Sequence, residues 1–208
     1  MAVETIPLDQ LIIVFLPVAV VLVLLWHWKL RLGHTLHALA RMLIQLLLIG
    51  YALVFIFEAD SSPIIIGVLA VMIVASGWIA LNTLDDQKWP LFPASLVAVL
   101  IGGGLTLALV TQGVLRLEPW YRPSYIIPLA GMIFASSMTG ISLAAERLVA
   151  ELSNGGEEEA AKRTAFRAAM IPVTNSLFAV GLISLPGMMT GQILSGVSPF
   201  VAARYQIM

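Results

Sequence analysis

Six stretches of mostly apolar residues, each long enough to cross a lipid bilayer as a helix, dominate this chain of 208 residues. The hydrocarbon core of a bilayer requires about 20 such residues in a helix. Hydrophobic residues make up 60% of the chain and charged residues only 11%, whereas soluble domains average about 25% charged residues. So few charges cannot cover the surface of a soluble globule, which excludes a soluble enzyme and a disordered tail. The expected fold class is an all-α, polytopic membrane protein.

The predicted spans are separated by short polar connections, and no shift in composition marks a boundary between domains. The spans cover about residues 11–28, 38–57, 64–81, 93–112, 125–145 and 171–194. Residues 198–208 have the composition of the start of a seventh element. We therefore expect a single transmembrane domain over residues 1–208.

The basic residues orient these spans, because short cytoplasmic loops carry more Lys and Arg than outer loops. Of the 11 lysines and arginines, only Arg116, Arg122 and Arg204 fall on the side that holds the N-terminus. The other eight fall on the opposite side: Lys29, Arg31, Arg41, Lys88, Arg147, Lys162, Arg163 and Arg167. The N-terminus is therefore predicted to lie outside and residues 144–170 in the cytoplasm. The net charge of −1 shows no basic excess, so nucleic acid is not an expected partner.

The cytoplasmic segment has a pattern of two helices joined by a turn. Residues 144–152 are predicted to extend the fifth span, and the Ser-Asn-Gly-Gly sequence at 153–156 predicts a turn. The three glutamates at 157–159 are placed to open a second helix, where acidic residues suit the helix dipole. Glu158–Lys162 and Glu159–Arg163 have the i,i+4 spacing of ion pairs. The pattern predicts two short helices that form a compact knob. Such a knob is either a solvated connector or a docking element for a cytoplasmic partner.

A transporter needs an energy source, and the sequence offers none of the usual ones. A P-loop requires a lysine directly after a glycine, and none of Lys29, Lys88 and Lys162 has one. Every Asp and Glu falls in a loop or at the end of a span, and the three histidines cluster at the cytoplasmic ends of the first two spans. A proton relay is therefore poorly supported. The simplest interpretation is that another subunit supplies the energy.

Two other classes of function stay open at this point. A secondary carrier can couple to sodium through hydroxyls and backbone carbonyls. An intramembrane enzyme is disfavoured: Gly-Ile-Ser at 140–142 is similar to a serine protease motif, but such a serine needs a histidine base at membrane depth and none lies there. The chain also has no cysteine. With no acid, histidine or thiol at depth, the residues identify no metal site.

Neutral polar groups at membrane depth and one unusual segment mark a candidate substrate path. Amide side chains in lipid are costly unless they face polar groups. The segment 184–191, Ser-Leu-Pro-Gly-Met-Met-Thr-Gly, should break or kink a helix. Broken backbone at membrane depth must face protein or a water-filled cavity, which predicts a buried hinge or part of a path. The candidate path residues are Gln45, Tyr51, Met132, Ser136, Asn175, Ser176, Pro186, Gly187, Met188 and Met189.

Several blocks carry a resemblance to a known family. The longest comprises Arg-Thr-Ala-Phe-Arg-Ala-Ala-Met-Ile-Pro at 163–172, Ser176, Val-Gly-Leu-Ile-Ser-Leu-Pro-Gly-Met-Met-Thr-Gly-Gln-Ile-Leu at 180–194, Pro199, Ala203 and Arg-Tyr-Gln-Ile-Met at 204–208. Two more are Arg-Met-Leu-Ile-Gln at 41–45, followed by Gly50-Tyr51 and Ile56-Phe57, and Ile-Pro-Leu-Ala-Gly-Met-Ile at 127–133. Over about residues 40–208 the chain resembles the FetB-like ABC transporter permeases, a family of iron exporters related to plant aluminium-tolerance permeases.

The resemblance implies a permease subunit in the inner membrane of a bacterium, working as a homodimeric core with a separate ABC ATPase. ATP and Mg²⁺ would bind to that ATPase and no cofactor to this chain. The cargo implied is iron or another metal, and nucleotide sugars are an alternative within the same transporter class. The coupling element would lie within residues 144–170, where Gly-Gly-Glu-Glu at 155–158 departs from the family's usual turn. The candidate coupling residues are Arg147, Glu157, Glu158, Glu159, Lys162, Arg163 and Arg167.

Overall fold

A computed structural model describes residues 7–58, 61–84 and 87–208, apart from the side chains of residues 8 and 9. The described residues form helices and contain no strand, only an isolated bridge between Val180 and Ser184. The helices are α1 (Leu8–Ile13), α2 (Phe15–His27), α3 (Leu32–Glu58), α4 (Ser62–Ile79), α5 (Lys88–Val114), α6 (Pro123–Ser153), α7 (Glu158–Ala179), α8 (Gly187–Leu194) and α9 (Pro199–Ile207). The predicted all-α architecture is confirmed.

Among the described residues, five helical segments are long and apolar enough to cross a membrane. They are Gln10–His27, which joins α1 and α2, and the helices α3, α4, α5 and α6. They coincide with the first five predicted spans. α3 is longer than its predicted span, because it begins at Leu32. α6 ends at Ser153, in agreement with the predicted extension of the fifth span over residues 144–152.

The sixth predicted span, residues 171–194, is broken, as segment 184–191 predicted, but the break begins earlier, after Ala179, and residues from Gly187 onward are helical. α7 begins much earlier, at Glu158, runs through Pro172 and ends at Ala179. Val180 has extended backbone angles and Gly181 has a φ of +82°, a left-handed conformation that favours glycine. The helix restarts only at Gly187. Hydropathy could not locate this break, because the residues that form the turn are themselves mostly apolar.

α5 is an α-helix interrupted by two wider turns. Its π-helical segments are Val99–Gly103 and Leu109–Val114, and an α-helical turn at Gly104–Ala108 separates them. The first π segment includes two of the three consecutive glycines at 102–104, which have no side chain to restrict the backbone. Such π segments insert an extra residue in the turn and re-aim the side chains that follow, and they are frequent at functional sites.

The buried core lies among α4, α5 and α6. One cluster joins side chains of α5 to side chains of α6: Val99, Leu107, Val110, Leu129, Ala130 and Phe134. A second, smaller cluster joins Ile65, Leu117 and Ile126. By contrast, α2 and α3 contain no buried residue. The first two spans therefore lie at the edge of the bundle, and the core is built by the later helices.

Candidate functional site

A cavity of about 430 Å³ lies between α5, α6, α8 and the end of α9. Its walls combine thioethers, hydroxyls, an amide and aliphatic groups. The lining residues are Thr106, Val110, Leu129, Met132, Ile133, Ser136, Ser137, Met188, Tyr205, Gln206, Ile207 and Met208. The cavity therefore opens beside the buried core, where the C-terminal helices return to the bundle.

Helical spacing explains how side chains of the long helix α6 line one wall of this cavity. Met132 and Ser136 are four residues apart, so both project from one face of the helix. The turn after α7 sends the chain back, and α8 then packs against α9. This packing places Met188 and the segment 205–208 opposite α6. The arrangement depends on the break in the sixth predicted span, since a continuous helix would not return the chain to the bundle.

Two of the four hydroxyl side chains around the cavity are engaged within their own helices. Ser137 Oγ donates to the carbonyl oxygen of Ile133 at 2.9 Å, and Thr106 Oγ1 donates to that of Gly102 at 2.7 Å. Gln206 differs, because its buried Oε1 has no hydrogen-bond donor within the described part of the chain. None of the lining side chains carries a charge. The side chains of the wall are thus polar in places but uncharged.

The structure sorts the predicted path residues into separate groups. Met132, Ser136 and Met188 line the cavity. Gln45 lies elsewhere, in a groove along α3 with Met42 and Ile49.

The remaining path candidates do not line this cavity. Tyr51 is 76% exposed on α3. Asn175 and Ser176 are exposed on α7. Pro186 is the N-cap of α8 and Gly187 its first residue, while Met189 is half-buried next to Met188. The structure therefore does not gather the ten candidates into one site.

Sequence reasoning missed several contributors to the cavity, among them Thr106, Ser137 and the segment 205–208. Thr106 is a single hydroxyl within the apolar fourth span, a pattern that also fits simple helix packing. The sequence of residues 205–208, Tyr-Gln-Ile-Met, could have indicated a polar site, because it places an aromatic hydroxyl and an amide in an otherwise apolar stretch. Its position opposite α6 could be found only from the tertiary structure.

The segment predicted to be cytoplasmic forms a hairpin from the end of α6 and the start of α7. We refer to residues 144–170 as the coupling hairpin, after the role predicted for them. The predicted turn at 153–156 is confirmed: Gly155 has a φ of +80°, which requires glycine in practice. The two helices pack together more extensively than any other pair. Ala161 and Ala165 are 2% and 4% exposed, and such small side chains allow close packing. Instead of a knob of two short helices, the hairpin is the end of two long ones.

Ion pairs run along the exposed faces of the coupling hairpin. The predicted Glu158–Lys162 and Glu159–Arg163 pairs are both present, at 2.6 Å and 3.4 Å. A further pair joins Arg147 to Glu151 at 2.5 Å. Glu157 is the N-cap residue of α7, and Arg167 is exposed further along the same helix. All seven predicted coupling residues therefore lie on this hairpin.

The pair at the start of α7 shifts the pKa values of both partners. The hydrogen bond from Lys162, with its positive charge, lowers the pKa of Glu158 below its ordinary value of 4.5. The same hydrogen bond and the charge of Glu158 raise the pKa of Lys162 above 10.5. Both groups thus stay charged over the whole physiological range, and this end of the hairpin carries a fixed pattern of charges.

A bundle of apolar helices of membrane-crossing length, with a cavity beside its buried core and a charged hairpin at one end, defines an all-α integral membrane protein. The sequence matches the Uncharacterised protein family (UPF0014) over residues 8–208. The chain belongs to this family. No solved structure matches it significantly.

Three relatives illustrate the range of the family. The UPF0014 membrane protein slr1647 of Synechocystis is 32% identical over 205 residues, covering 91% of this chain and 79% of that protein. The "Probable iron export permease protein FetB" of Escherichia coli is 33% identical, covering 82% of this chain and 70% of that protein. The UPF0014 membrane protein STAR2 of rice is 34% identical, covering 84% of this chain and 65% of that protein.

Proposed function

We propose that this chain is the membrane-spanning permease subunit of an ABC transporter that exports iron or another metal across the bacterial inner membrane. A separate ATPase subunit would bind ATP and Mg²⁺ and drive the transport. Family membership and the iron export permease among the relatives support the transport role. The observation that carries the coupling to an ATPase is the charged hairpin, because the sequence has no P-loop of its own.

The dimensions of α6 support a hairpin that stands clear of the membrane. α6 has 31 residues, which at about 1.5 Å per residue gives a length of roughly 46 Å. The hydrocarbon core of a bilayer is only about 30 Å thick. About ten residues of α6 therefore extend beyond it, and the excess of Lys and Arg supports a cytoplasmic position for them. A soluble ATPase could reach both helices of the hairpin there.

Two exposed features support a homodimeric permease core. The turn between α7 and α8 exposes Leu182 and Ile183 at 90% and 85%. Irregular backbone within a membrane is tolerated only where protein or water covers it, and the described residues of one chain leave this turn exposed. Gln45 is also exposed on α3, where an amide facing lipid would be costly. A second copy of the chain in the membrane would cover such surfaces.

Two alternatives from the sequence remain useful as comparisons. A sodium-coupled secondary carrier would transport its substrate without ATP or a second subunit. A transporter of nucleotide sugars would keep the ATPase but change the cargo. Transport by the purified chain alone in a sodium gradient would favour the first, and sugar nucleotide uptake without metal uptake would favour the second.

The decisive experiment is capture of the ATPase. The tagged chain would be co-expressed with ABC ATPase subunits of the same genome and purified in detergent. A triple variant, Glu157→Lys, Glu158→Lys and Glu159→Lys, reverses the acidic start of α7. The matched control is Glu58→Lys with Glu118→Lys, which changes charges on the predicted outer side.

A second variant separates contact with a partner from stability of the helix. Exchanging Glu158→Lys with Lys162→Glu keeps an intrahelical ion pair but inverts its charge pattern. We expect wild type and the outer control to capture an ATPase, and both hairpin variants to capture much less. Equal capture by all variants would contradict the assignment of the hairpin, and no capture by a folded chain would contradict the ABC assignment.

A further inference from the structure

A second space lies between α5 and α7, apart from the cavity described above. Both helices pack against α6 but hardly against each other within the described residues. A groove of about 350 Å³ therefore stays open between them, with α6 as its floor. Its walls come from residues within 91–98, 141–148 and 162–166, together with Leu81, and we refer to it as the α5–α7 groove. Its volume falls within the range of ligand pockets, about 300–1,000 Å³.

The α5–α7 groove is long and runs parallel to the helices. On α5 it extends from Leu91 through Ala94 to Ala98, and on α6 it extends from Ile141 to Leu148. Residues with such spacings lie on one face of a helix, and seven residues correspond to about 10 Å of helix length. Because α5 and α6 have membrane-crossing length, the groove extends in the direction in which the acyl chains of lipids lie.

The groove crosses the predicted cytoplasmic boundary of the hydrocarbon core. At its deep end, Ala98 falls within the fourth predicted span and Ile141 within the fifth. At its other end, Leu91 precedes the fourth span and Leu148 follows the fifth. The groove thus joins the level of the acyl chains to the level of the lipid headgroups.

Aromatic residues beside the groove agree with this depth. Trp89 lies two residues before Leu91 and is 72% exposed. Its ring packs edge-on against that of Trp78, with 4.9 Å between the ring centroids. Tryptophan is enriched at the interface between membrane and water, where its amphipathic ring sits at the level of the headgroups. The start of α5 is therefore expected at that interface.

Lys162 is the only charged residue among those that line the groove. It lies one helical turn before Phe166, toward the tip of the coupling hairpin, and its side chain is 55% exposed. An ammonium group has three hydrogen-bond donors. Within the described residues, the ammonium of Lys162 makes one ion pair, to Glu158 at 2.6 Å. Lys162 therefore has donors left for an anionic headgroup, and the cytoplasmic leaflet is the one that carries anionic lipids.

The walls of the groove favour an acyl chain over a protein segment. Apart from Lys162, the lining side chains are aliphatic or aromatic, with the exception of Ser95. The hydroxyl of Ser95 already donates to the carbonyl oxygen of Gly77 at 2.9 Å. An extended peptide would bring backbone donors and acceptors that these walls cannot satisfy, and burying such groups unpaired is costly. An acyl chain has no such groups, and the phosphate of the same lipid supplies an anion for Lys162.

We propose that the α5–α7 groove binds an anionic phospholipid of the cytoplasmic leaflet, with one acyl chain between the two helices and the phosphate at Lys162. The bound lipid bridges α5 and the first turns of α7, and so ties the coupling hairpin to the transmembrane bundle. This site depends on the position of the chain in a membrane, which its five long helices support. It does not depend on the permease assignment.

Native mass spectrometry of the purified chain in detergent counts bound lipid molecules directly. The chain would be titrated with phosphatidylglycerol, which is anionic, and with phosphatidylcholine of the same acyl chains, which has no net charge. Ala98→Trp fills the deep end of the groove. Its matched control is Val97→Trp, because Val97 is 51% exposed and lies outside the groove. Lys162→Gln removes the ammonium, and its matched control is Arg163→Gln, which removes a neighbouring exposed cation outside the groove.

We expect wild type, Val97→Trp and Arg163→Gln to bind one phosphatidylglycerol per chain in preference to phosphatidylcholine. Lys162→Gln should bind phosphatidylglycerol about fivefold more weakly, the usual effect of one lysine near anionic lipid. Ala98→Trp should lose the tight site for both lipids. Loosely attached lipid is common to all variants, so the differences isolate the groove. Equal binding by wild type and Ala98→Trp, or equal affinity of wild type for the two lipids, would overturn the proposal.

Photolabelling of wild type needs no variant, so a folding defect cannot obscure it. The chain in bilayers would be irradiated with phosphatidylglycerol that carries a diazirine at the end of one acyl chain, and the labelled peptides identified by mass spectrometry. We expect labelling near Ala98 and Ile141 to exceed that at Leu47, which is 74% exposed on α3 and reports the lipid around the bundle. This excess should be lost when phosphatidylcholine carries the diazirine.

Labelling at Leu47 equal to that in the groove, with phosphatidylglycerol as the probe, would contradict the site. ATPase capture on the same preparation is an independent measurement. Failure of the lipid site and failure of the permease assignment are therefore distinguishable.

Discussion

The ring of Phe134 on α6 lies directly against the backbone of Gly103 on α5. A Cβ atom at position 103 would stand 2.8 Å from Cδ1 and 3.0 Å from Cε1 of that ring. Phe134 is 2% exposed and belongs to the main buried cluster, and Gly103 ends a π-helical segment. Glycine at this position therefore sets the distance between the two helices that form the cavity's main walls.

A methyl group at position 103 should accordingly destabilise the bundle. We expect Gly103→Ala to cost about 1–3 kcal/mol, the usual range for overpacking a well-filled core. Gly102→Ala is the matched control, because a Cβ there meets no atom within 4 Å. Thermal unfolding in detergent, followed by tryptophan fluorescence, measures both. Equal melting temperatures for the two variants would show that Phe134 can move aside without cost.

The contact between α4 and α5 rests in part on a buried hydroxyl. Ser95 is 4% exposed, and its Oγ donates to the carbonyl oxygen of Gly77 at 2.9 Å. Hydrogen bonds between membrane helices average about 0.6 kcal/mol and reach about 1.7 kcal/mol, so Ser95→Ala should lower stability by an amount in this range. Thr139→Val removes only an exposed bond within α6 and should have little effect. The same unfolding assay would contradict this prediction if Thr139→Val were the more harmful change.

The Glu158–Lys162 pair should make the start of α7 sensitive to acid. Because folding lowers the pKa of Glu158 below 4.5, its stabilising contribution is present above pH 4.5 and is lost as the pH falls through the lowered pKa. Because folding raises the pKa of Lys162 above 10.5, that contribution is present below pH 10.5 and lost above it. Both side chains are more than half exposed, so the effect should be small and weakened by salt.

This acid sensitivity can be measured at one residue. A carbon NMR titration of the Glu158 carboxyl group should give a midpoint below 4.5 in wild type and a return toward the ordinary value in Lys162→Gln. A midpoint of 4.5 or above in wild type would show that the pair does not form in solution.

Filling the cavity should block transport without preventing ATPase capture. Ser136→Phe places a large ring in the cavity wall, and Ala135→Phe places the same ring one residue away on an exposed position outside the wall. We expect ATP-driven metal uptake into inside-out vesicles to be lost with Ser136→Phe and retained with Ala135→Phe. Loss of uptake with both variants alike would mean that the cavity is not on the transport route.

Much of the hairpin was predictable because its signals are local. The stop at 153–156, the helix start after Glu157 and the pairs that Glu158 and Glu159 make all depend on neighbours within four or five positions. The five long helices were predictable for a similar reason, since apolar length alone identifies them. Their termini were less accurate: α3 extends six residues before the predicted span at 38–57, because polar residues can continue a helix beyond the membrane.

The sequence by itself determined that this chain enters a membrane and that residues 1–208 contain no P-loop, because apolar length and a contiguous motif are properties of neighbouring residues. The distribution of Lys and Arg predicts which side the hairpin faces. Only the tertiary structure decided where the chain turns back after Ala179, and thereby that Met188 and Met208 face Met132 across one cavity. It also separated Gln45, Asn175 and Ser176 from that cavity. Distant residues meet through packing, and packing depends on backbone breaks and close contacts such as Gly103 with Phe134, which periodicity does not encode.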